Sequence, residues 1–300
     1  MKIAGLYLKQ KLKIKLNHAT IKELRNKIIL VTGGSGSIGS KITKRLLEYP
    51  VKQVRVLDIN EHSLFTLNRS INDSRLRLLL GSILDKERVE MACKDVDIVI
   101  HTAAVKNLDI TEFNPIETID TNINGTVNLI KTIIRTKPKK FINISTDKAA
   151  EPSTLYGVTK QLSEHLTSWA GGHITTTKFA TIRFGNVFET RGNVFEIWKE
   201  QNDNNHDLTI TDPKMKRYFI HVDDSVEFIL SILSLMKVGE IFVPKMKLYN
   251  MKNLASQVSK KHKIIGIRPG EKLEEILITR DEIKKAENRK DMWIIRPYSK

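Results

Sequence analysis

The chain has 300 residues, 40% of them hydrophobic, which is enough to bury a core, and its single cysteine excludes an internal disulfide. Every apolar run falls short of the roughly 20 residues that span a bilayer, and no Cys/His spacing typical of a metal site occurs. The formal net charge of +16 would suit nucleic acid, an anionic membrane or a polyanionic substrate, but the basic residues are scattered and only 6% of residues are aromatic. We therefore expect a cytoplasmic protein with no transmembrane segment, no metal and no nucleic-acid partner.

Residues 1–26 form a basic N-terminal arm. Polar and apolar residues alternate over residues 11–16, as in an edge strand or an arm lying on a surface. Residues 17–20 offer a helix cap, and a short helix is predicted over residues 21–26. We expect the arm to pack against the main domain or against a neighbouring subunit.

A glycine-rich turn follows the first buried strand. The apolar run over residues 27–32 predicts a parallel strand, and a helix is predicted over residues 40–49. Glycines between a strand and a helix let the backbone turn tightly and approach a pyrophosphate at the positive helix terminus. The cofactor-binding residues predicted in this turn are Gly33, Ser35, Gly36, Ser37, Ile38 and Gly39.

Asp58 ends the next predicted strand, over residues 54–57. It lies roughly 20 residues beyond the glycine turn, where a carboxylate binds the adenosine ribose hydroxyls and repels a 2′-phosphate. Asp58 therefore favours NAD over NADP, although Arg55 and Arg69 leave room for NADP. The alternative is that Asp58 caps the helix predicted over residues 61–71.

Small residues follow the next two predicted strands, over residues 75–80 and 96–101. They suit places where the backbone passes close to a cofactor, and Asn122, inside a long apolar helix, suits bonding to backbone across a bend. The cofactor-binding residues predicted here are Ser82, Ile83, Ala103, Ala104, Lys106 and Asn122.

The regular alternation of strands and helices predicts an α/β fold, a doubly wound parallel sheet with its ligand at the carboxyl ends of the strands. We assign residues 27–183 to a dinucleotide-binding Rossmann domain. Residues 184–300 form mainly a small substrate domain, with residues 218–243 returning to the Rossmann domain.

Tyr156 and Lys160 are one helical turn apart and share a face of the predicted helix. A nearby ammonium favours the phenolate, so the pair predicts a base that takes a proton from an alcohol while a hydride leaves. A strand ending in Ser145 and Thr146 precedes the pair, which strengthens this interpretation.

These features resemble the extended short-chain dehydrogenase/reductase superfamily, and within it the UDP-N-acetylglucosamine 4,6-dehydratases and related polysaccharide-biosynthesis proteins. The resemblance spans about residues 27–280 and rests on segments 101–106, 114–117, 145–150, 183–187 and 267–272. It implies that Thr146, Tyr156 and Lys160 oxidise the sugar. It also implies that Lys148 removes the C5 proton and that Asp147 protonates the departing C6 hydroxyl.

Lys148 must be neutral to act as a base, and the positive charge of Lys160 would favour that state. The alternative is that Asp147 and Lys148 form an exposed ion pair in a turn. The resemblance further implies inversion at C5, since retaining members have methionine where Tyr156 stands. The arm and residues 57–61, however, look more like the retaining relatives.

The resemblance also implies a nucleotide-sugar site and a homo-oligomer. Arg217 and Arg268 are candidate clamps for the diphosphate, although each arginine equally suits a surface ion pair. The substrate-binding residues predicted are Lys106, Asn186, Arg191, Arg217, Arg268 and Glu271.

Three functional hypotheses follow. The first is a UDP-N-acetylglucosamine 4,6-dehydratase that uses NAD or NADP, in the biosynthesis of surface polysaccharide or glycan sugars. The second is a UDP-sugar 4-epimerase, which would not need Lys148. The third is a non-catalytic scaffold for nucleic acid or a membrane surface, which the +16 charge motivates.

Overall fold

Unbroken aliphatic runs form the central strands, because a parallel strand buried on both faces has no polar side to alternate with. The protein was analysed as a computed structural model that describes residues 16–297. Its strands are β1 (Ile28–Thr32), β2 (Gln53–Asp58), β3 (Leu76–Leu80), β4 (Ile98–His101), β5 (Lys140–Thr146), β6 (Lys178–Phe184), β7 (Asn186–Phe188), β8 (Leu208–Ile210), β9 (Lys216–His221), β10 (Glu240–Pro244), β11 (Lys247–Asn250), β12 (His262–Ile264), β13 (Glu287–Asn288) and β14 (Met292–Ile295).

Most helices begin at a polar cap whose side chain accepts a backbone N–H, as Asn17, Asn60, Asp85 and Thr154 do. A π-helical turn covers Asp120–Asn124, and a 3₁₀ turn, Asp147–Ala149, follows β5. The helices are α1 (His18–Leu24), α2 (Ser37–Leu47), α3 (Glu61–Ile71), α4 (Lys86–Cys93), α5 (Leu108–Phe113), α6 (Pro115–Ile119), α7 (Gly125–Thr136), α8 (Leu155–His173), α9 (Val194–Asp203), α10 (Val222–Ile232), α11 (Met251–Ala255) and α12 (Arg280–Ile283).

The large sheet has nine strands within the described residues, in the order β13-β14-β10-β6-β5-β4-β1-β2-β3. Every pair from β3 to β10 is parallel, and β14 joins β10 antiparallel. The predicted doubly wound α/β sheet is therefore confirmed. The strand order reverses between β1 and β4, so a crevice for a ligand opens at their carboxyl ends.

A second layer of structure follows β6. Strands β7, β9 and β11 form one small sheet and β8 pairs with β12. Aromatic side chains pack at its centre, with Phe195 edge-on to Phe188, Trp198 and Phe219. The chain returns to the large sheet through α10 and β10. It returns a second time through β13 and β14, and the sequence analysis did not predict this second return.

The described part of the N-terminal arm packs on the main domain. Helix α1 begins at His18 rather than at residue 21, because the Asn17 side chain accepts the N–H of Thr20. Thr20 also lies 3.0 Å from the Ser234 hydroxyl, and Glu23 pairs with Lys140 at 2.6 Å. Most of the alternating segment 11–16 lies outside the described residues.

One predicted helix is much shorter than expected. The amphipathic pattern of residues 252–261 predicts a helix throughout, but α11 ends at Ala255. The chain then turns through Ser259 and runs into β12, which pairs parallel with β8. Strand pairing has overridden the helical pattern, as tertiary contacts commonly do for a short weak segment.

Replacing Trp198 with alanine should destabilise the protein by about 3–5 kcal/mol, because it leaves a cavity in the small domain. Trp198 is 1% exposed and its indole N–H donates to the Thr209 carbonyl at 2.8 Å. Denaturant unfolding measures the loss. Trp169→Ala is the matched control, since Trp169 is 51% exposed. Its effect should stay within about 1 kcal/mol. Equal losses in the two variants would contradict the packing described here.

Candidate active site

The glycine turn is too crowded for side chains. Gly33 has a φ of +64°, and a Cβ there would lie 2.7 Å from the backbone of Ala103. A Cβ on Gly39 would lie 2.4 Å from the Gly33 carbonyl oxygen. Helix α2 starts here at Ser37, and its N-cap Gly36 offers no side chain to the first N–H groups. An open helix terminus beside a glycine-rich turn fits a dinucleotide pyrophosphate.

Asp58 is fixed by backbone rather than by capping a helix. One carboxylate oxygen accepts the N–H of Ser35 at 3.0 Å, and the other accepts the N–H of Asn60 at 3.1 Å. Asn60 caps α3, so the alternative role of Asp58 as the helix cap is wrong. Ser35 was predicted to bind the cofactor, but its side chain is buried and does not line the cavity. Its backbone instead joins Asp58 to the glycine turn.

Asn122 supports the cavity wall without lining it. Its amide accepts the N–H of Val105 at 2.8 Å, donates to the Val105 carbonyl at 2.9 Å and donates to Thr159 at 3.0 Å. The predicted bonding to backbone is confirmed, and the π-helical turn around Asn122 is the bend. The buried amide faces the loop after β4 and does not line the cavity.

A cavity of about 720 Å³ opens at the carboxyl ends of the strands, between the large sheet and the small domain. This size is typical of small-molecule and cofactor sites. The predicted residues that line it are Gly33, Gly36, Ser37, Ile38, Gly39, Asp58, Ser82, Ile83, Ala103, Ala104, Lys106, Thr146, Lys148, Tyr156, Lys160, Asn186, Arg191, Arg217, Arg268 and Glu271.

At the start of α8, Lys160 is buried and Tyr156 is partly buried, and both side chains line the cavity. Burial and the nearby Asp147 charge raise the pKa of Tyr156, and a hydrogen bond with Thr146 opposes them. The expectation that Lys160 lowers the pKa of this phenol is therefore not met in the ligand-free protein. Burial lowers the pKa of Lys160 itself to about 8, while Glu164 opposes the shift. Desolvation dominates both groups.

Asp147 and Lys148 form a buried pair at the end of β5. The Lys148 amine lies 3.1 Å from Asp147 Oδ1, and the Thr146 hydroxyl donates to the same oxygen at 3.0 Å. Asp147 is 1% exposed, so the alternative of an exposed turn ion pair is wrong. Among the described residues, Asp147 Oδ2 has no hydrogen-bond partner.

The pair differs from the prediction in two ways. Asp147 lies behind Lys148 and does not line the cavity, because the 3₁₀ turn points its side chain inward. The charged groups that contact the Lys148 amine are two carboxylates, Asp147 Oδ1 at 3.1 Å and Glu275 Oε1 at 3.8 Å, whereas the sequence analysis invoked Lys160.

The residues predicted for the substrate are anchored to the protein. Asn186 donates to the Tyr218 carbonyl at 3.2 Å, and buried Arg217 contacts Glu271 at 3.2 Å. Arg268 is half exposed, 3.9 Å from Asp109. Each arginine therefore has an acidic partner and also lines the cavity. Arg217 is 6% exposed, so its ion pair is not a surface pair, whereas that of Arg268 is.

Arg191 joins the substrate side to the cofactor side. Its backbone N–H donates to the Ser37 hydroxyl at 3.0 Å, and its guanidinium donates to the Ser35 carbonyl at 3.2 Å. The Lys106 amine donates to the Arg191 carbonyl at 3.3 Å. Burial lowers the pKa of Lys106, with Glu196 opposing and Arg191 adding to the shift. The Lys106 amine thus lies against the backbone of Arg191, and the Arg191 guanidinium lies against the glycine turn.

Sequence reasoning missed a buried ion-pair network beneath the site. The Arg183 guanidinium contacts Glu164 at 2.6 Å and Glu282 at 2.9 Å. Ser145, which lines the cavity, donates to Glu164 at 2.5 Å. Arg183 stood in a segment that carried the resemblance, but nothing in the sequence indicated its partners.

Within residues 16–297, no helix has the length and apolar character needed to cross a membrane. That part of the chain also holds no group of three or more His, Cys, Asp or Glu side chains suited to a metal ion.

A family described as polysaccharide biosynthesis protein matches residues 29–297. A Methanocaldococcus jannaschii protein described as an uncharacterized membrane protein is 41% identical over 91% of this chain and 87% of its own length. The inverting UDP-N-acetylglucosamine 4,6-dehydratase of Campylobacter jejuni is 40% identical over 91% of this chain and 84% of its own.

Two further relatives bear on the alternatives. The UDP-glucose 4-epimerase of Rickettsia bellii is 34% identical over 88% of this chain and 81% of its own length. The X-ray structure of Pen from Bacillus thuringiensis superposes with a TM-score of 0.88 at 34% identity, covering 91% of this chain and 89% of that one.

Gly39→Ala should weaken dinucleotide binding on the order of tenfold or more, because the added methyl displaces the turn that approaches the pyrophosphate. Titration of the ligand-free protein with NAD measures it. Gly172→Ala is the matched control, since a Cβ on Gly172 meets nothing within 4 Å. Unchanged binding in Gly39→Ala would contradict the assignment of this turn.

Lys160 should make stability depend on pH. Its folded pKa of about 8 lies below the ordinary 10.5, so between these values the unfolded chain holds a proton that the folded protein has lost. Its contribution to the free energy of unfolding therefore rises with pH across this window. Denaturant unfolding of the ligand-free wild type and Lys160→Met measures it. The free energy of unfolding of the wild type should rise relative to that of the variant as the pH rises. A difference that stays constant with pH would contradict the lowered pKa of Lys160.

Proposed function

The chain belongs to the polysaccharide biosynthesis protein family, and from that membership we propose that it is a nucleotide-sugar 4,6-dehydratase that acts on UDP-N-acetylglucosamine and inverts C5. The observation that carries the proposal is the Asp147–Lys148 pair, buried beside Tyr156 at the end of β5. A plain oxidation needs only Tyr156 and a cofactor. The added acid and base suit the elimination of water.

The dinucleotide proposed is NAD. When bound, it accepts a hydride from C4 and returns it to C6, so the reaction has no net redox change. The glycine-rich turn from Gly33 to Gly39 and the start of α2 would hold the pyrophosphate. Asp58 lines the cavity, and its carboxylate favours ribose hydroxyls over a 2′-phosphate.

Oxidation at C4 uses Thr146, Tyr156 and Lys160. The phenol oxygen of Tyr156 takes the C4 hydroxyl proton, and the Thr146 hydroxyl holds that oxygen in place. Since burial keeps the resting phenol protonated, Tyr156 needs a charge change in the site before it can act. A protonated Lys160 on the same helical face supplies the nearest cationic charge within α8.

Elimination uses Lys148 and Asp147. The Lys148 amine lines the cavity and removes the C5 proton. Asp147 does not line the cavity, so its proton reaches the departing C6 hydroxyl through the Thr146 hydroxyl, which lines the cavity and lies 3.0 Å from Asp147 Oδ1. Asp147 must therefore carry a proton when Lys148 is neutral. Their 3.1 Å hydrogen bond lets one proton move between the two groups. With the proton on Asp147, Lys148 is a neutral base and Asp147 is an acid, as elimination requires.

The substrate occupies the side of the cavity formed by the small domain. Lys106, Arg191, Arg217 and Arg268 supply positive charge for a diphosphate, while Asn186 and Glu271 add polar contacts. Exposed apolar side chains on α5, α6 and α8, with Phe113 at 87%, support self-association of the chain.

A second candidate is a UDP-sugar 4-epimerase, which the similarity to the Rickettsia bellii epimerase favours. An epimerase would leave the mass of the product unchanged. It would also use Tyr156 without needing Lys148.

Incubation with UDP-N-acetylglucosamine and NAD should give a 4-keto-6-deoxy product that is lighter by one water. Proton NMR in heavy water should show one deuterium at C5 and the inverted C5 configuration. Lys148→Ala should slow water loss by about 10²–10⁴-fold. An unchanged mass with an epimerised sugar would establish the second candidate instead. No reaction with bound cofactor would reject both.

A further inference from the structure

Glu275 is a buried carboxylate that the reaction just described does not use. It belongs to the segment that follows Lys272, and it is 4% exposed. The small domain thereby places a carboxylate beside Lys148, the base of the elimination step, from a segment that is remote from β5 in the sequence. A buried carboxylate requires a partner, and its nearest cation is the amine of Lys148, at 3.8 Å.

The charges around Glu275 are few. Lys148 and Asp147 face it from the turn after β5, Arg217 faces it from β9, and Lys272 lies on its own segment. Arg217 is occupied by Glu271 at 3.2 Å, and Lys272 is 3.9 Å from Glu151. The Lys148 amine therefore stands between two carboxylates, Asp147 Oδ1 at 3.1 Å and Glu275 Oε1 at 3.8 Å.

We propose that Glu275 is a positioning residue for elimination, holding the Lys148 amine toward C5 and stabilising the positive charge that this amine gains. The proposal rests on the dehydratase function proposed above. Glu275 does not line the cavity, so it acts through Lys148 and not on the sugar.

The proton balance gives Glu275 a constant charge. In elimination, an N–H bond forms at Lys148 as the C5–H bond breaks, and the electron pair released forms the C5–C6 double bond. The C6–O bond breaks, and the leaving oxygen takes the proton of Asp147. Lys148 ends as an ammonium, Asp147 as a carboxylate, and Glu275 remains ionised throughout. A fixed negative charge beside a developing ammonium stabilises the transition state more than the ground state.

The state of Glu275 is coupled to that of Lys148. Burial raises the pKa of Glu275, and the neighbouring charge of Lys148 lowers it while that of Asp147 raises it.

Glu274 provides a matched control. It is the adjacent glutamate, but its side chain is 44% exposed and it pairs with Lys216 at 3.0 Å on the surface. Glu275→Gln and Glu274→Gln remove one negative charge each, at neighbouring positions, and only the first removes it from beside Lys148.

The test compares the two variants with the wild type using UDP-N-acetylglucosamine and NAD. Glu275→Gln should slow water loss and C5 deuterium exchange by about tenfold or more, since both depend on Lys148. C4 oxidation, followed in single turnover by the nicotinamide absorbance, should stay at the wild-type rate. Glu274→Gln should match the wild type in all these measurements.

Several results would overturn the proposal. Wild-type water loss in Glu275→Gln would do so, as would an equal fall in oxidation and elimination, which a purely structural role predicts. If Glu275→Gln does not fold, Glu275→Asp keeps the charge one methylene farther from the amine and should show a smaller selective loss of elimination. A uniform loss in Glu275→Asp would overturn it. If the wild type releases no water, the proposed function has failed, independently of Glu275.

Discussion

The pairing of β5 with β6 sets the position of both halves of the site. The register runs without a break from Lys140 opposite Lys178 to Thr146 opposite Phe184. It places Ser145 opposite Arg183, so the last residues of β5 face the cavity while the ion pairs of Arg183 lie beneath them. A slip of one residue would exchange the two faces of β5 and would break the pairing of Ser145 opposite Arg183.

Local features were the most predictable from sequence. The glycine turn, Asp58 and the Tyr156–Lys160 pair are each defined by residues close together in the chain, and steric and charge arguments apply to them directly. The strand pattern likewise predicted the parallel sheet. A strand buried on both faces appears as an apolar run, which can be recognised without knowing which strands pair with it.

Side-chain direction and remote partners were less predictable. Ser35, Asn122 and Asp147 stand in the right segments but face inward, and a loop side chain's direction depends on what packs over it. Glu282 lies 99 residues beyond Arg183, and Glu275 likewise meets Lys148 only through the folded small domain. No pattern within either segment indicates such a pairing. The pKa of Tyr156 also depends on the surrounding fold. Burial raises it, and this effect outweighs the Lys160 amine from which the sequence analysis argued.

The last strands of the chain have a consequence for the order of its synthesis. Strand β14 pairs with β10 in the large sheet, after the segment that carries Glu271 and Glu275. Glu282, just before it, reaches back to Arg183 beneath the cavity. A ribosome delivers the dinucleotide half first, but the wall that faces Lys148 is fixed only when nearly all of the chain has emerged. The nascent protein can therefore assemble a nucleotide pocket well before it has a complete acid–base apparatus.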